Sequence, residues 1–202
     1  MRHPEVTTGT TLAPKTRNPF SGRGLAVCVC LLREPKEWSI SALAACAEVS
    51  QPFTSMVVRD LRYRGLLEGN VARGRAASIR GTRRLAYEVG LRWPRAHVGV
   101  IGTLPDDGPL GGAPAWRAAG LLETGLPIRY VRSQDDLSAM LGWWGGSFTA
   151  PEVGQYEVVI ADVPMEPGLV PPVIVALELG RTPRGRETLD AHVADLLGAL
   201  PA

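Results

Sequence analysis

Between residues 38 and 91 three signals stand in an order that few folds can accommodate. A helical pattern over residues 39–49, which Ser39 or Ser41 can cap, is followed after the link Val49-Ser50-Gln51 by a second pattern over 52–64. The link leaves no room for a long loop, so the second helix must cross the first steeply. Pro52 is tolerated because it sits in the first turn, where a missing N–H has no helical partner to lose. Gly65 stops the helix, and Leu66-Leu67-Glu68 opens a strand that turns through Arg73-Gly74-Arg75 and returns through Ala77-Ser78-Ile79. Thr82 then caps a helix to Leu91, with Leu85 and Val89 inward and Arg83 and Arg84 outward, and Trp93-Pro94 closes the unit. Two crossed helices followed by a glycine-tipped arginine hairpin predict a winged helix-turn-helix, which points to duplex DNA.

Within the second helix, Thr54, Val58 and Leu61 recur at spacings of four and three and form the face packed on the core. The opposite face carries Gln51, Phe53, Ser55, Met56, Arg59 and Arg62. Arginine can fork onto guanine's two acceptors and glutamine can do so for adenine, so Arg59 and Gln51 are expected on bases, with Ser55 and Arg62 on phosphates. Arg73 and Arg75 at the hairpin tip are expected to enter or straddle the minor groove, and Arg80 and Arg83 complete the DNA-binding set.

Charge supports the division implied by this unit. Residues 1–97 hold 16 of the 22 Arg and Lys against 7 of the 20 Asp and Glu, a formal +9; the remainder holds 6 against 13, a formal −7. A basic part suits phosphates, whereas an acidic part is repelled by DNA and is free to meet protein or itself. The expected organisation is therefore a flexible arm (1–19), a winged helix-turn-helix domain (20–95) and an acidic α/β domain (98–202) for oligomerisation or partner binding. The fold class is α+β.

Ser21 can cap a first helix over 22–33, ended by Pro35, with Leu25, Val29 and Leu32 on its apolar face. Cys28, Cys30 and Cys46 are an odd, clustered set, read as small core residues in a reducing compartment rather than a disulfide framework or a zinc site. His3, His97 and His192 are scattered, so no metal is expected. The longest apolar run, residues 25–32, is too short to cross a bilayer, and Met1-Arg2-His3-Pro4 lacks the apolar core of a secretion signal. A cytoplasmic location is expected.

In the second half, residues 98–101, 128–131 and 158–161 read as strands, and 115–124 and 134–141 as helices, the latter with Ser133 and Asp136 spaced as in a capping box. A last helix from about residue 186 carries Leu189, Val193, Leu196, Leu197 and Leu200 on one stripe. Residues 171–179 stay open between strand, on their Val-Ile-Val run, and helix end, on Ala-Leu-Glu-Leu before Gly180.

Catalytic patterns are sparse. Lys15 and Lys36 are the sole lysines, so the second half has neither a phosphate-loop nor a Schiff-base lysine. Pro105-Asp106-Asp107 could open a nuclease-like metal site, but no Glu-x-Lys follows. Gly145-Gly146-Ser147 followed by Glu157 resembles the glycine-serine turn and carboxylates of nucleotidyltransferases, yet the second carboxylate two residues on is missing. Trp143-Trp144 beside the glycines fits core packing, the preferred reading, or a ligand or partner surface. Neither an enzyme nor a cofactor is expected.

Taken together, the chain resembles the AbiE-type (type IV) antitoxin regulators. The resemblance rests on Val49-Ser50 opening the recognition helix, on Gly65-Leu66-Leu67, and on the hairpin with its following helix. Further on it rests on residues 112–122 leading to 127–131, and on 172–180 with Arg181 before the closing helix. It implies a repressor that binds inverted repeats in its own promoter and counteracts a toxin encoded beside it. The expected function is thus a sequence-specific double-stranded DNA-binding transcriptional regulator, an autorepressor of antitoxin type, with a nucleic-acid-modifying enzyme and a ligand-responsive regulator as alternatives.

Overall fold

The computed structural model describes residues 18–69, 78–95, 97–102, 108–121, 124–144, 147–150, 153–198 and 200–201, with backbone alone for 141–144 and 147–148. The architecture is mixed α+β. Helix α1 (Arg23–Arg33) is followed by α2 (Ile40–Cys46), α3 (Gln51–Tyr63), the strand pair β1 (Leu67–Glu68) and β2 (Arg80–Gly81), and α4 (Arg83–Leu91). The second half comprises β3 (Val98–Ile101), β4 (Pro109–Gly112), α5 (Ala113–Ala118), β5 (Pro127–Val131), α6 (Gln134–Trp144), β6 (Ser147–Thr149), β7 (Tyr156–Ile160), β8 (Gly168–Leu169), α7 (Pro172–Leu179) and α8 (Pro183–Leu197).

Helix α1 departs from its expected amphipathic form. Every residue from Gly24 to Leu32 is buried, because α2, α3, α4, β2 and α7 surround it. Ser21 does not cap it: Gly22 takes that position without a side-chain bond, while Ser21 Oγ donates to the Asn18 carbonyl at 3.1 Å. The cysteine expectation is also corrected. Cys30 of α1 and Cys46 of α2 form a disulfide with Cα atoms 6.2 Å apart, leaving Cys28 as a buried free thiol. The pair meets because α2 packs back across α1, a contact that spacing along the chain does not encode.

Caps set most of the helix starts. Ser39, Ser50, Thr82, Ser133 and Thr182 each accept a backbone N–H of the first turn, at 3.1, 3.4, 3.1, 3.0 and 3.0 Å. Between α2 and α3 the chain turns through Glu48, which adopts a left-handed φ of 53°, and the Val49 N–H reaches back to the Ala44 carbonyl at 3.0 Å.

The large sheet has six strands in the order β6-β3-β7-β5-β4-β8, with β5–β7 and β4–β8 parallel and the other pairings antiparallel. On one face Val100, Tyr156 and Val158 pack with Leu137 of α6. On the other, Ile128, Tyr130 and Val159 join a larger cluster with α7 and α8 that continues through α4 and α1 to Phe20. Apolar contact is thus continuous across the charge boundary near residue 98. Gly90 of α4 and Gly180 after α7 meet so closely that a Cβ on Gly180 would stand 3.0 Å from the Gly90 Cα. Residues 171–179, left open by the sequence, form α7. The ambiguity has a physical cause, since residues from Val173 to Leu179 are buried on every side of the helix and leave no polar face for a period to mark.

Candidate nucleic-acid interface

Helix α3 stands on α1, α2 and β1 through one face and leaves the other to solvent. Thr54, Val57, Val58 and Leu61 are buried, and Thr54 also ties its hydroxyl to the Ser50 carbonyl at 3.1 Å. Around the helix from this face, Gln51, Ser55, Arg59 and Tyr63 follow one another at a spacing of four, and all four are exposed. Such a row is about 18 Å long at 1.5 Å per residue and lies along one line of the helix surface. Arg59 has no hydrogen-bond or ion-pair partner among the described residues. Tyr63 is 92 % exposed, more than any other large hydrophobic residue described.

The other expected contact residues are placed less uniformly. Phe53 and Met56 are half-buried and turn sideways, lining a small crevice with Asn18 and Pro19 instead of joining the exposed row. Arg62 is half-buried and donates to the Gly69 carbonyl, which holds the end of α3 to the strand that follows. Arg80 pairs with Glu37 at 3.4 Å, both about half exposed. Arg83 and Arg84 are exposed in the first turn of α4, and the Arg84 guanidinium lies near Gly65 at the end of α3. Thr82 fixes that arrangement, donating its hydroxyl to the Leu66 carbonyl at 3.0 Å while capping α4. Arg73 and Arg75, with the rest of residues 70–77, lie outside the described residues. Two further arginines are structural: Arg64 pairs with the buried Asp60 at 3.0 Å, and both Arg64 and Arg92 sit over the Phe20 ring.

Strand Trp38↔Ile79 bridging adds a third backbone segment beside β1 and β2, with the Trp38 N–H donating to the Ile79 carbonyl at 2.8 Å and the reverse bond at 3.1 Å. The turn before α3 is held from the second half. Arg132, just past β5, donates to Glu48 at 2.8 Å and pairs with Asp162 at 3.5 Å.

A second site is a buried carboxylate that sequence reasoning did not single out. Glu178 of α7, 4 % exposed, accepts from the Gly112 N–H at 3.2 Å, from the Trp116 indole N–H and from the Tyr130 hydroxyl at 2.8 Å. Tyr130 in turn accepts from the Trp93 indole at 3.0 Å, so the network reaches from α7 to the residue that closes the N-terminal half. Burial pushes the Glu178 carboxyl up to about 7, outweighing its three donors and the Arg181 guanidinium, all of which favour the charged form. Burial, with Glu178 alongside, also pushes the Tyr130 phenol well above its ordinary value. The signal for this site was a lone acid inside the apolar run Val173-Ile174-Val175-Ala176-Leu177-Glu178-Leu179. For Tyr63 it was the continuation of the four-residue spacing beyond Arg59.

Trp143 and Trp144 end α6, and their side chains lie outside the described residues, as do Pro105-Asp106-Asp107 and Gly145-Gly146. Glu157 is half-buried on β7. Among the described residues, no three His, Cys, Asp or Glu side chains gather as a metal site, and no helix is long and apolar enough to cross a membrane. No protein-family model, curated protein or solved structure matches the chain.

Proposed function

We propose that the chain is a sequence-specific double-stranded DNA-binding transcriptional regulator whose role is binding rather than catalysis. The order α1, Trp38 bridge, α2, α3, β1, β2, α4 supports reading its N-terminal part as a winged helix, with α3 as the recognition helix. The observation that carries this is the exposed row Gln51, Ser55, Arg59 and Tyr63 on a helix whose opposite face is locked into the core. A groove-reading helix needs its donors in solvent and its backbone fixed from behind, because base contacts discriminate through geometry. Autorepression of antitoxin type follows from the sequence resemblance; a cytoplasmic location follows from the short apolar runs and has against it the Cys30–Cys46 disulfide, a bond that a reducing compartment disfavours. Residues 98–202 are then available for a cognate toxin or for self-association.

Gel-shift titrations of the chain on its own upstream region and on random duplex, at several salt concentrations, test this. Arg59→Ala is expected to lose about 1–3 kcal/mol on the upstream sequence and to relax sequence preference. Arg73→Ala and Arg75→Ala should weaken both duplexes alike and lower the salt slope by about one each. An Arg59→Ala protein that binds both duplexes as tightly as the parent would refute the assignment of α3.

A further inference from the structure

We propose that the cavity between α5, β5 and the α7–α8 turn binds a small organic anion with a flat apolar body, and that its occupation regulates the DNA-binding half. The cavity has a volume of about 280 Å³, space for a compact metabolite. Leu126, Ile128, Leu179 and the half-buried Trp116 make its apolar wall. Gly125 lets the loop lie close against the Trp116 ring, since a Cβ there would stand 2.8 Å from it, and this holds the indole in the cavity wall.

Charge sets the orientation of the guest. Arg181, half-buried, and Arg184, exposed in the first turn of α8, line the same cavity. Neither guanidinium has a hydrogen-bond or ion-pair partner among the described residues, and both stand where the α8 dipole is positive. Glu178, one turn before Arg181 and within reach of its charge, has both oxygens occupied by its three donors, and Glu157 lines the sheet side. Arg181 and Arg184 thus offer two guanidiniums to an anionic group at the start of α8, and Trp116, Leu126 and Ile128 offer a wall to its apolar body.

Two contacts can relay occupancy to the N-terminal half. Trp116 and Tyr130 share the Glu178 carboxylate, and Tyr130 holds Trp93 beyond the end of α4. Gly180, between Glu178 and Arg181, touches Gly90 of α4 backbone to backbone, so a displaced α7–α8 turn has no compliant side chain to absorb the motion. Helix α4 carries Arg83 and Arg84 at its other end. Regulation of DNA binding rests on the function proposed above; the anion site does not.

Isothermal titration of the full chain with phenylacetate and phenyl phosphate, against benzyl alcohol, acetate and inorganic phosphate, tests the site. The two aromatic anions should bind one to one and each control at least about tenfold more weakly, and Arg184→Gln and Arg181→Gln, checked as folded by thermal melts, should each lose about tenfold. Benzyl alcohol binding as well as phenylacetate, undiminished binding by Arg184→Gln, or no saturation by either aromatic anion up to about 10 mM would overturn the site. Gel shifts with and without phenylacetate then test regulation: DNA affinity should change by the same factor as DNA changes phenylacetate affinity. Anion binding without any change in DNA affinity overturns regulation alone, and failure to bind any duplex overturns it together with the DNA-binding reading while leaving the anion site standing.

Discussion

Replacing Glu178 by glutamine should change how stability depends on pH more than it changes the fold. In the unfolded chain this carboxyl titrates near 4.5, and burial in the fold raises it to about 7. Between those values the folded protein keeps a proton that the unfolded chain has released, so stability falls as pH rises. The contribution is full below about 4.5 and is lost as pH climbs through about 7; the span corresponds to about 3 kcal/mol. Glutamine has the same shape but cannot titrate. Its amide NH₂ also brings two donor hydrogens into a site of donors where the protonated carboxyl brings one, so near pH 5 Glu178→Gln should be less stable than the parent by about 1–3 kcal/mol. Towards pH 8 the gap should close or invert. Urea unfolding of both proteins at several pH values measures this, and differencing the two curves removes every other titrating group. Parallel curves across the range would show that Glu178 is ionised in the fold without penalty, and the account of burial prevailing over its three donors would fail.

Three further outcomes follow from packing and backbone geometry. Gly180→Ala places a methyl 3.0 Å from the Gly90 Cα, so α4 and α7 must part, costing about 1–3 kcal/mol; a melting temperature equal to or above the parent's would contradict that contact. Cys46→Ser removes a cross-link between positions 16 apart and should cost about 3 kcal/mol, with the parent's urea midpoint falling to the same value under dithiothreitol; a parent midpoint indifferent to reductant rules the bond out. Glu48→Gly relieves a left-handed backbone, about 1 kcal/mol, and forfeits an exposed pair with Arg132 worth about 0–1 kcal/mol, so stability should hold or rise slightly. A clear loss in urea unfolding would mean that the Arg132 contact outweighs the backbone term.

Legibility along the chain tracks how local each signal is. The starts of α3 and α4 could be placed from Ser50 and Thr82, and that of α2 to within Ser39 or Ser41, because a cap bonds to the turn it opens. Strands β3, β5 and β7 announced themselves as short apolar runs, whereas β4, Pro109-Leu110-Gly111-Gly112, has a composition that argues against a strand and exists because β5 and β8 flank it. Helix α7 lost its period to burial on all sides, and α1 proved to be the centre of its half instead of an amphipathic outer helix. On α3 and β2, the exposure of Gln51, Ser55 and Arg59 could be read from spacing, but the use of Arg62 and Arg80 could not, since Gly69 and Glu37 reach them through folding.

The amino-acid order by itself determined the starts of α3 and α4, the basic and acidic halves, and the exposure of Gln51, Ser55 and Arg59 on α3, because capping, charge and periodicity act over a few residues. Tertiary structure alone decided that Cys30 meets Cys46, that Gly90 meets Gly180, and that Glu178 gathers donors from three other segments. Those contacts join positions far apart in the chain, and whether they form depends on how all the faces pack at once.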